Sequence, residues 1–206
     1  MNIIEFENID VGYDEKVVLK NINLKIKSGE HFAILGANGS GKSTLMKLIQ
    51  SQIHPRHTKE FKKEIFGKSR YSIFELKKEL GVITNDLHNY FEKEGGYLSG
   101  FEVVLSGFYS SIGIFTHQDF TKKQIQKAIE VMNFLEIIDL KNKKVSSMST
   151  GQLRKCIVAR ALIHDPKAFV LDEPTVGLDI KAQINFIKLL QKISLKSTII
   201  LVTHHL

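Results

Sequence analysis

Residues 36–44 hold the stretch that decides the fold, Gly36-Ala37-Asn38-Gly39-Ser40-Gly41-Lys42-Ser43-Thr44, which has the spacing G-x-x-x-x-G-K-S/T of a phosphate-binding P-loop. The apolar run at 31–35 predicts a buried strand before it, and the spacing of apolar residues at 45–49 predicts a helix after it. Its glycines let backbone N–H groups turn toward one point, where a helix N-terminus adds partial positive charge. We expect Lys42 to reach the β- and γ-phosphates of a nucleotide and the Ser43 hydroxyl to ligate Mg²⁺.

The composition is that of an ordinary globular chain of one domain. The 206 residues are 43% hydrophobic and 25% charged, and no apolar run approaches the roughly 18 residues that a membrane span requires. The single cysteine, Cys156, permits no internal disulfide, which agrees with a reducing compartment, and we predict a cytoplasmic protein. The net charge of +7 fits an anionic partner such as nucleic acid, or a solvated surface. The solvated surface is favoured because most lysines stand beside glutamates, as at 62–64 and 77–79.

The apolar patterning predicts an α/β fold. Alternation at 3–9 and 22–26 predicts two antiparallel strands joined by a turn at 11–15. Continuous apolar runs predict buried parallel strands at 31–35, 81–84, 168–171 and 199–202. Helical patterns occupy 45–49, 72–80, 101–109, 122–134, 149–163 and 180–193. The predicted fold class is a P-loop NTPase core with a mainly parallel sheet, an N-terminal antiparallel β patch and an inserted helical subdomain.

The segment from 86 to about 165 shows helical periodicity without strand alternation. We therefore predict a core formed by 1–85 and 166–206 and a helical subdomain at about 86–165. The aromatic residues interleaved with glycines between 95 and 115 fit a partner-binding surface or a compact helical core, and the compact core is favoured. The connector at 51–63, with His54 and His57, is predicted to be a surface loop and not a metal site.

Two adjacent acids end the strand predicted at 168–171. An acid at the end of a strand beside a P-loop can hold Mg²⁺ through water, and we expect this of Asp172. Because successive side chains of an extended chain point in opposite directions, Glu173 needs a different role. It is placed to orient or deprotonate an attacking water. The alternative, two solvated acids, is weakened because Pro174 and Gly177 follow closely.

Five motifs in their observed order resemble an ABC-type ATPase domain. They are the P-loop at 36–44, Ser149-Thr150-Gly151-Gln152, Leu171-Asp172-Glu173-Pro174-Thr175, Gly177-Leu178-Asp179 and Thr203-His204. The resemblance covers essentially the whole chain. Within the family, Phe66-Gly67-Lys68, 76–84 and 103–108 are similar to the molybdate-type and photorepair-associated members, several of which act without an obvious membrane subunit.

The resemblance implies an ATP hydrolase that uses ATP and Mg²⁺ and sandwiches ATP between two such domains. The implied nucleotide-binding residues are Tyr13 at adenine, the P-loop residues Gly36, Asn38, Gly39, Ser40, Gly41, Lys42, Ser43 and Thr44, and the partner-facing residues Ser149, Gly151, Gln152 and Asp179. The implied metal ligands are Ser43, Asp172 and Asn85. The implied catalytic residues are Glu173, Lys42 and His204.

Three features depart from the family pattern. Thr150 stands in place of a glycine, and a left-handed backbone there would strain a threonine. Asn85 stands in place of a glutamine and is one methylene shorter, which predicts a looser hold on Mg²⁺ and water. The sequence ends two residues after His204, whereas family members continue with at least one more helix, so we expect a truncated chain.

The resemblance implies partners as well. They are a second ABC domain, identical or related, and a membrane permease that would hold the protein at the inner face of the membrane. Two alternatives remain open at this point. One is a soluble ATPase with a nucleic-acid or regulatory role. The other is a nucleotide-gated binding module, which the substitutions Asn85 and Thr150 motivate.

Overall fold

A computed structural model describes residues 1–56 and 60–203 of the chain. The strands are β1 (Asn2–Tyr13), β2 (Lys16–Lys27), β3 (Phe32–Leu35), β4 (Lys62–Ile65), β5 (Leu80–Ile83), β6 (Ala168–Asp172) and β7 (Thr198–Thr203). The helices are α1 (Lys42–Ile49), α2 (Ile73–Glu79), α3 (Asn85–Glu94), α4 (Gly100–Leu105), α5 (Lys122–Phe134), α6 (Thr150–Leu162) and α7 (Ile180–Ser194). Three short 3₁₀ turns add Ser106–Tyr109, Ile138–Leu140 and Val145–Ser147.

The central sheet is parallel and has the strand order β3-β7-β6-β5. β5, β6 and β7 are short, apolar and mostly buried, as expected of strands covered on both faces. The prediction of a buried strand at 31–35 was wrong about burial, because β3 lies at the edge of the sheet beside β7 and its Phe32 and Leu35 are exposed. Because all four strands run in one direction, their carboxyl ends meet at one edge. In open α/β sheets this edge is where ligands bind. The P-loop follows β3 at that edge, and the two adjacent acids follow β6 there.

The N-terminal sheet is antiparallel, with the order β2-β1-β4. Its first two strands are longer than predicted, because β1 continues to Tyr13 and only Asp14 and Glu15 form the turn. The prediction of a loop throughout 51–63 was wrong at its end, where β4 begins at Lys62. This edge strand is mostly charged, and the pairing of Lys62 with Glu5 (3.2 Å) is an interaction that apolar periodicity does not reveal.

The segment 86–165, which the structure describes in full, consists of helices, 3₁₀ turns and loops without a strand. Each of its main helices begins at a side-chain cap. Thr84 caps α3, and Ser99, Thr121 and Ser149 form capping boxes at α4, α5 and α6. α5 has the bounds predicted for it, whereas α3 was not predicted.

Two apolar clusters lie on opposite faces of the parallel sheet. Along β6, Ala168 and Val170 join a cluster with β1 and α1, while Phe169 and Leu171 join a cluster with the helical segment and α7. This alternation is the period of two expected for a strand buried on both faces. Cys156 is fully buried in the helical cluster, and burial raises the pKa of its thiol to about 12.

The predicted fold class is therefore confirmed. The division into a core at 1–85 and 166–206 and a helical subdomain at about 86–165 remains a prediction. Among the described residues, no helix combines the length and the apolar character that crossing a membrane requires.

Candidate functional site

The P-loop connects β3 to α1 and ends in Gly41, where any other residue would strain the backbone. Gly41 caps α1 with a left-handed backbone (φ 93°), and a Cβ placed on it would lie 2.6 Å from Leu19 Cδ2. The β1–β2 hairpin therefore packs directly against the loop. The first residues of the loop remain accessible, including Asn38, Gly39 and Ser40.

Lys42 holds the P-loop closed on itself. Its ammonium Nζ donates hydrogen bonds to the carbonyl oxygens of Gly36 (2.6 Å) and Ala37 (2.8 Å). Ser43 is exposed on the first turn of α1, while Thr44 is buried beneath it. The predicted phosphate-contacting lysine and metal-binding hydroxyl thus lie on consecutive residues at a helix N-terminus.

The two adjacent acids lie at the carboxyl end of β6. Burial raises the pKa of the Asp172 carboxyl, and the charges of Glu173 and Asp86 raise it further, while Lys42 lowers it. These influences place Lys42 and the acids in one electrostatic neighbourhood. A carboxylate crowded by like charges is suited to a cation.

Glu173 has a backbone conformation that is unusual for its residue type. Its φ is 46°, in the left-handed region, and its N–H donates to Val202 O at 2.9 Å. Its carboxylate Oε2 accepts a hydrogen bond of 3.0 Å from the Thr203 hydroxyl at the end of β7. Strained backbone of this kind occurs preferentially at functional sites.

Asn85 begins α3, directly after β5 and its cap Thr84. Its amide oxygen Oδ1 accepts a hydrogen bond of 3.1 Å from Arg154 of α6. The oxygen predicted to contact Mg²⁺ is therefore engaged by an arginine, and its metal role stays a prediction.

Tyr13 ends β1 at the tip of the hairpin, 42% exposed. The Lys47 ammonium of α1 lies 5.5 Å from the centre of its ring, so the predicted adenine-stacking aromatic stands beside the P-loop helix. The Arg56 guanidinium fastens the hairpin tip by donating to the carbonyl oxygens of Asp14 and Lys16.

The residues predicted to face a partner line a second concave surface. Ser149 caps α6, its hydroxyl accepting from Gln152 N at 3.3 Å, and Asp179 caps α7 by accepting from Ala182 N at 2.7 Å. Both caps, with Gly151, line a hollow between the starts of the two helices. The concern about Thr150 was unfounded, because Thr150 is the first residue of α6 and does not have a positive φ.

A groove of about 530 Å³ lies between the P-loop helix and the helical segment. It reaches from Ser43 and Asp172 to an apolar end formed by Ile73, Leu76, Leu87 and Ile112.

Two of the predicted residues, His204 and His57, lie outside the described residues. Sequence reasoning missed Arg154 and Arg56, and it gave Thr203, although part of a quoted motif, no role of its own. For Arg154 a signal existed, since a charged residue on a helix that is buried all round must find polar partners.

Comparisons with known proteins identify the family of the chain. A family model described as ABC transporter matches residues 19–176. The chain is 32% identical over 206 residues to an uncharacterized ABC transporter ATP-binding protein of Methanocaldococcus jannaschii, an alignment that covers 99% of this chain and 77% of the relative.

Two solved structures share the fold. The protein cbiO1 of Clostridium perfringens, part of the ABC transporter complex cbiONQ, has a TM-score of 0.79 at 30% identity, covering 99% of this chain and 79% of that one. A dimeric ATP-binding cassette in a post-hydrolysis state, bound to ADP and Pi, has a TM-score of 0.73 at 27% identity, covering 98% of this chain and 88% of that one.

The fold and the site define a P-loop ATPase of the ATP-binding cassette type. The chain belongs to the ABC transporter family. It is an ATP-binding and ATP-hydrolysing subunit whose activity energises transport. These relatives give no support to the alternative of a soluble ATPase with a nucleic-acid role.

Proposed function

We propose that the chain hydrolyses ATP at sites shared between two ABC domains and that closure of this dimer drives a membrane permease. The observation that carries the proposal is the separation of the two half-sites. The concave surface beside the P-loop contains Ser43 and Asp172, whereas Ser149 and Asp179 line the other, and among the described lining residues none is shared. A complete site therefore needs a second copy or a related subunit.

In this proposal each domain binds the nucleotide with three elements. Tyr13 stacks on adenine, the loop 36–41 presents backbone N–H groups to the phosphates, and Lys42 exchanges its carbonyl partners for phosphate oxygens. From the other domain, Ser149, with Gly151, Gln152 and Asp179, contacts the same nucleotide at the start of α6, where a helix N-terminus favours an anion.

Mg²⁺ fits the oxygens at the end of β6. In the described part of the chain, no three His, Cys, Asp or Glu side chains form a metal cage. Nucleotide sites, however, hold Mg²⁺ with one or two protein oxygens completed by phosphates and water. Ser43 and Asp172 would hold the ion, with Asn85 as the further predicted ligand. Bound Mg²⁺ neutralises charge on the β- and γ-phosphate oxygens.

Glu173 would act on the attacking water. Its carboxylate accepts a hydrogen bond from the Thr203 hydroxyl, which helps to fix its orientation, and would accept the proton of the water as the bond to the γ-phosphorus forms. The γ-phosphoryl leaves the β-phosphate oxygen of ADP as inorganic phosphate. His204 would complete the contacts to the γ-phosphate.

A titration of protein concentration tests the shared site. We expect phosphate release to rise more than linearly with concentration, because a partner-completed phosphoryl-transfer site gains up to ~10³–10⁵ in rate. Glu173→Gln should hydrolyse at least about a hundredfold more slowly, the scale of general-base assistance, and should accumulate an ATP-bound dimer in light scattering. Glu130→Gln, on the exposed face of α5, is the matched control and should behave as wild type.

Full activity in a strictly monomeric sample would contradict the shared site. Wild type hydrolysing no faster than Glu173→Gln would instead favour the nucleotide-gated binding module.

The groove is the proposed contact with the permease. It joins an exposed apolar end at Ile73 to the nucleotide site at Asp172, so a helix seated there would sense closure. Between 90 and 115, Gly107, Ser110 and Ile112 line the groove. Phe101 and Phe108 pack instead against the helical cluster. The protein would sit at the inner face of the membrane through this contact.

Pull-down in mild detergent tests the contact, with Glu173→Gln and ATP holding the dimer closed. We expect a multi-span membrane protein to be retained and to be lost with Ile73→Asp, which places a charge in the groove while an acid in the first turn of α2 suits the helix. Ile187→Asp is the matched control, because Ile187 is equally exposed on α7 (50% against 49%). Recovery of only soluble partners, or salt-sensitive retention of nucleic acid, would overturn the transport assignment.

A further inference from the structure

The strongest feature outside the motifs is a buried arginine on α6. Arg154 lies five positions after the cap Ser149 and is only 3% exposed. Its Nη1 donates to Asn85 Oδ1 at 3.1 Å and to Pro174 O at 2.9 Å, and its Nη2 donates to Val176 O at 3.3 Å. One guanidinium therefore joins the start of α6, the start of α3 and the loop that follows Glu173.

Burying the guanidinium charge costs free energy, and the hydrogen bonds that offset this cost are made to neutral oxygens. Among the described residues, no carboxylate lies within 4.0 Å of the guanidinium, and its Nε has no hydrogen-bond partner. Burial lowers the pKa of Arg154 accordingly. His88 of α3 is close enough that Arg154 lowers its pKa too, so this neighbour adds no compensating charge. A cation kept in such surroundings costs stability, which favours a role in activity over one in folding.

We propose that Arg154 is a positioning residue that sets the loop 174–176, and through it Glu173, relative to the start of α6. The guanidinium is a rigid planar fork, so its bonds fix the relative placement of the three elements better than a flexible side chain would. This inference rests on the role proposed for Glu173.

The placement has a consequence for the dimer. Ser149 is proposed to contact the nucleotide held by the partner, whereas Glu173 acts on the nucleotide held by its own domain. A shift of α6 on engaging the partner's nucleotide would move Arg154 and hence the loop that carries Glu173. Arg154 would thereby link occupancy of one site to the geometry of the other.

The test compares two arginines on one helix. Arg154→Met should lower kcat about tenfold or more, because small misplacements at a reacting centre are expensive in rate, while equilibrium ATP binding stays within about twofold. Arg160→Met is the matched control. Arg160 is also on α6, burial lowers its pKa to about 10, and it donates to Ser106 Oγ (3.1 Å) and Ser111 O (3.0 Å) of the helical segment. Because Arg160 also lines the groove proposed for the permease, kcat is compared in the protein without a permease. Arg160→Met should lose thermal stability and keep kcat.

A second variant guards against a folding defect. Arg154→Lys keeps the charge but not the fork, and we expect an intermediate kcat with unchanged ATP binding. Asn85→Ala combined with Arg154→Met should lower kcat by less than the product of the single effects, because both remove one contact.

Equal kcat losses in Arg154→Met and Arg160→Met, or a loss confined to ATP affinity, would overturn the inference. Glu173→Gln, measured in parallel, distinguishes a failure of the role proposed for Glu173 from a failure of the positioning role of Arg154. If Glu173→Gln abolishes hydrolysis and Arg154→Met retains it, only the positioning role fails. If Glu173→Gln is fully active, the role of Glu173 and the inference fail together.

Discussion

His88 on α3 is a buried side chain whose two ring nitrogens have no hydrogen-bond partner within residues 1–56 and 60–203. Burial lowers its pKa from 6.5, Arg154 lowers it further, and Glu92 opposes them weakly. The folded protein therefore resists protonating His88, whereas the unfolded chain takes up the proton near pH 6.5. Stability is unaffected by this group above that pH and falls as the pH drops from 6.5 toward the lowered folded-state pKa.

We predict that His88→Leu reduces the loss of folding stability that occurs as the pH falls below 6.5. Removing two unsatisfied buried nitrogens should make the variant about 1 kcal/mol or more stable than wild type at pH 5, with a smaller difference at pH 8. Urea unfolding at both pH values measures it. Some acid sensitivity should remain, because burial lowers the pKa of His164 as well. A pH profile parallel to that of wild type would contradict the assignment.

At the scale of single elements, the start of α6 combines a helix cap with a proposed ligand. The Ser149 hydroxyl accepts from Gln152 N, while the Gln152 side chain accepts from Ser149 N and from Lys143 Nζ. Stability and activity therefore depend on one hydroxyl for different reasons, and two substitutions can separate them.

We predict opposite signatures for Ser149→Ala and Ser149→Asp. Alanine removes the cap and should cost about 1 kcal/mol of unfolding free energy. Aspartate is itself a good cap and should keep stability within about 0.5 kcal/mol, yet its charge would repel the partner's γ-phosphate and abolish hydrolysis. Chemical denaturation and phosphate release on the same samples compare the two. An active Ser149→Asp would argue against the contact.

Elements with a local signal were predictable from the sequence, and elements held by distant contacts were not. The parallel strands and α5 follow from apolar runs and helical periodicity, and the motifs at 36–44 and 171–175 located the acids and the P-loop. β4 was missed because it is held by backbone pairing with β1 and by the ion pair of Lys62 with Glu5 on that strand. The start of α3 was missed because its signal is the single cap Thr84. The contact of Asn85 with Arg154, 69 positions away, leaves no trace in either local pattern.

At the scale of the whole molecule, the parallel sheet belongs to both apolar clusters. Phe169 of β6 and Ile199 of β7 pack in the cluster with the helical segment. Their neighbours Val170 and Ile200 pack in the cluster with β1 and α1. Neither cluster can lose its packing while the sheet between them stays intact.

We therefore predict one cooperative unfolding transition. Backbone and aromatic circular dichroism should report the same midpoint of thermal unfolding. Phe169→Ala, which should cost about 3–5 kcal/mol of unfolding free energy, should lower the midpoint recorded by both signals by the same amount. Two resolved transitions, with Phe169→Ala moving only one, would show that the helical segment unfolds separately.

The Lys42 ammonium donates hydrogen bonds to two carbonyl oxygens of its own loop, so the proposed contact with a phosphate would be an exchange of partners. A phosphate that draws the lysine away also breaks its hydrogen bonds to Gly36 O and Ala37 O. Losing these two hydrogen bonds offsets part of the attraction between the lysine and the phosphate. A Lys42→Ala variant loses these two hydrogen bonds together with the charge. A weakened affinity in that variant thus measures both losses at once, and assigning all of it to electrostatics would overstate what the charge contributes.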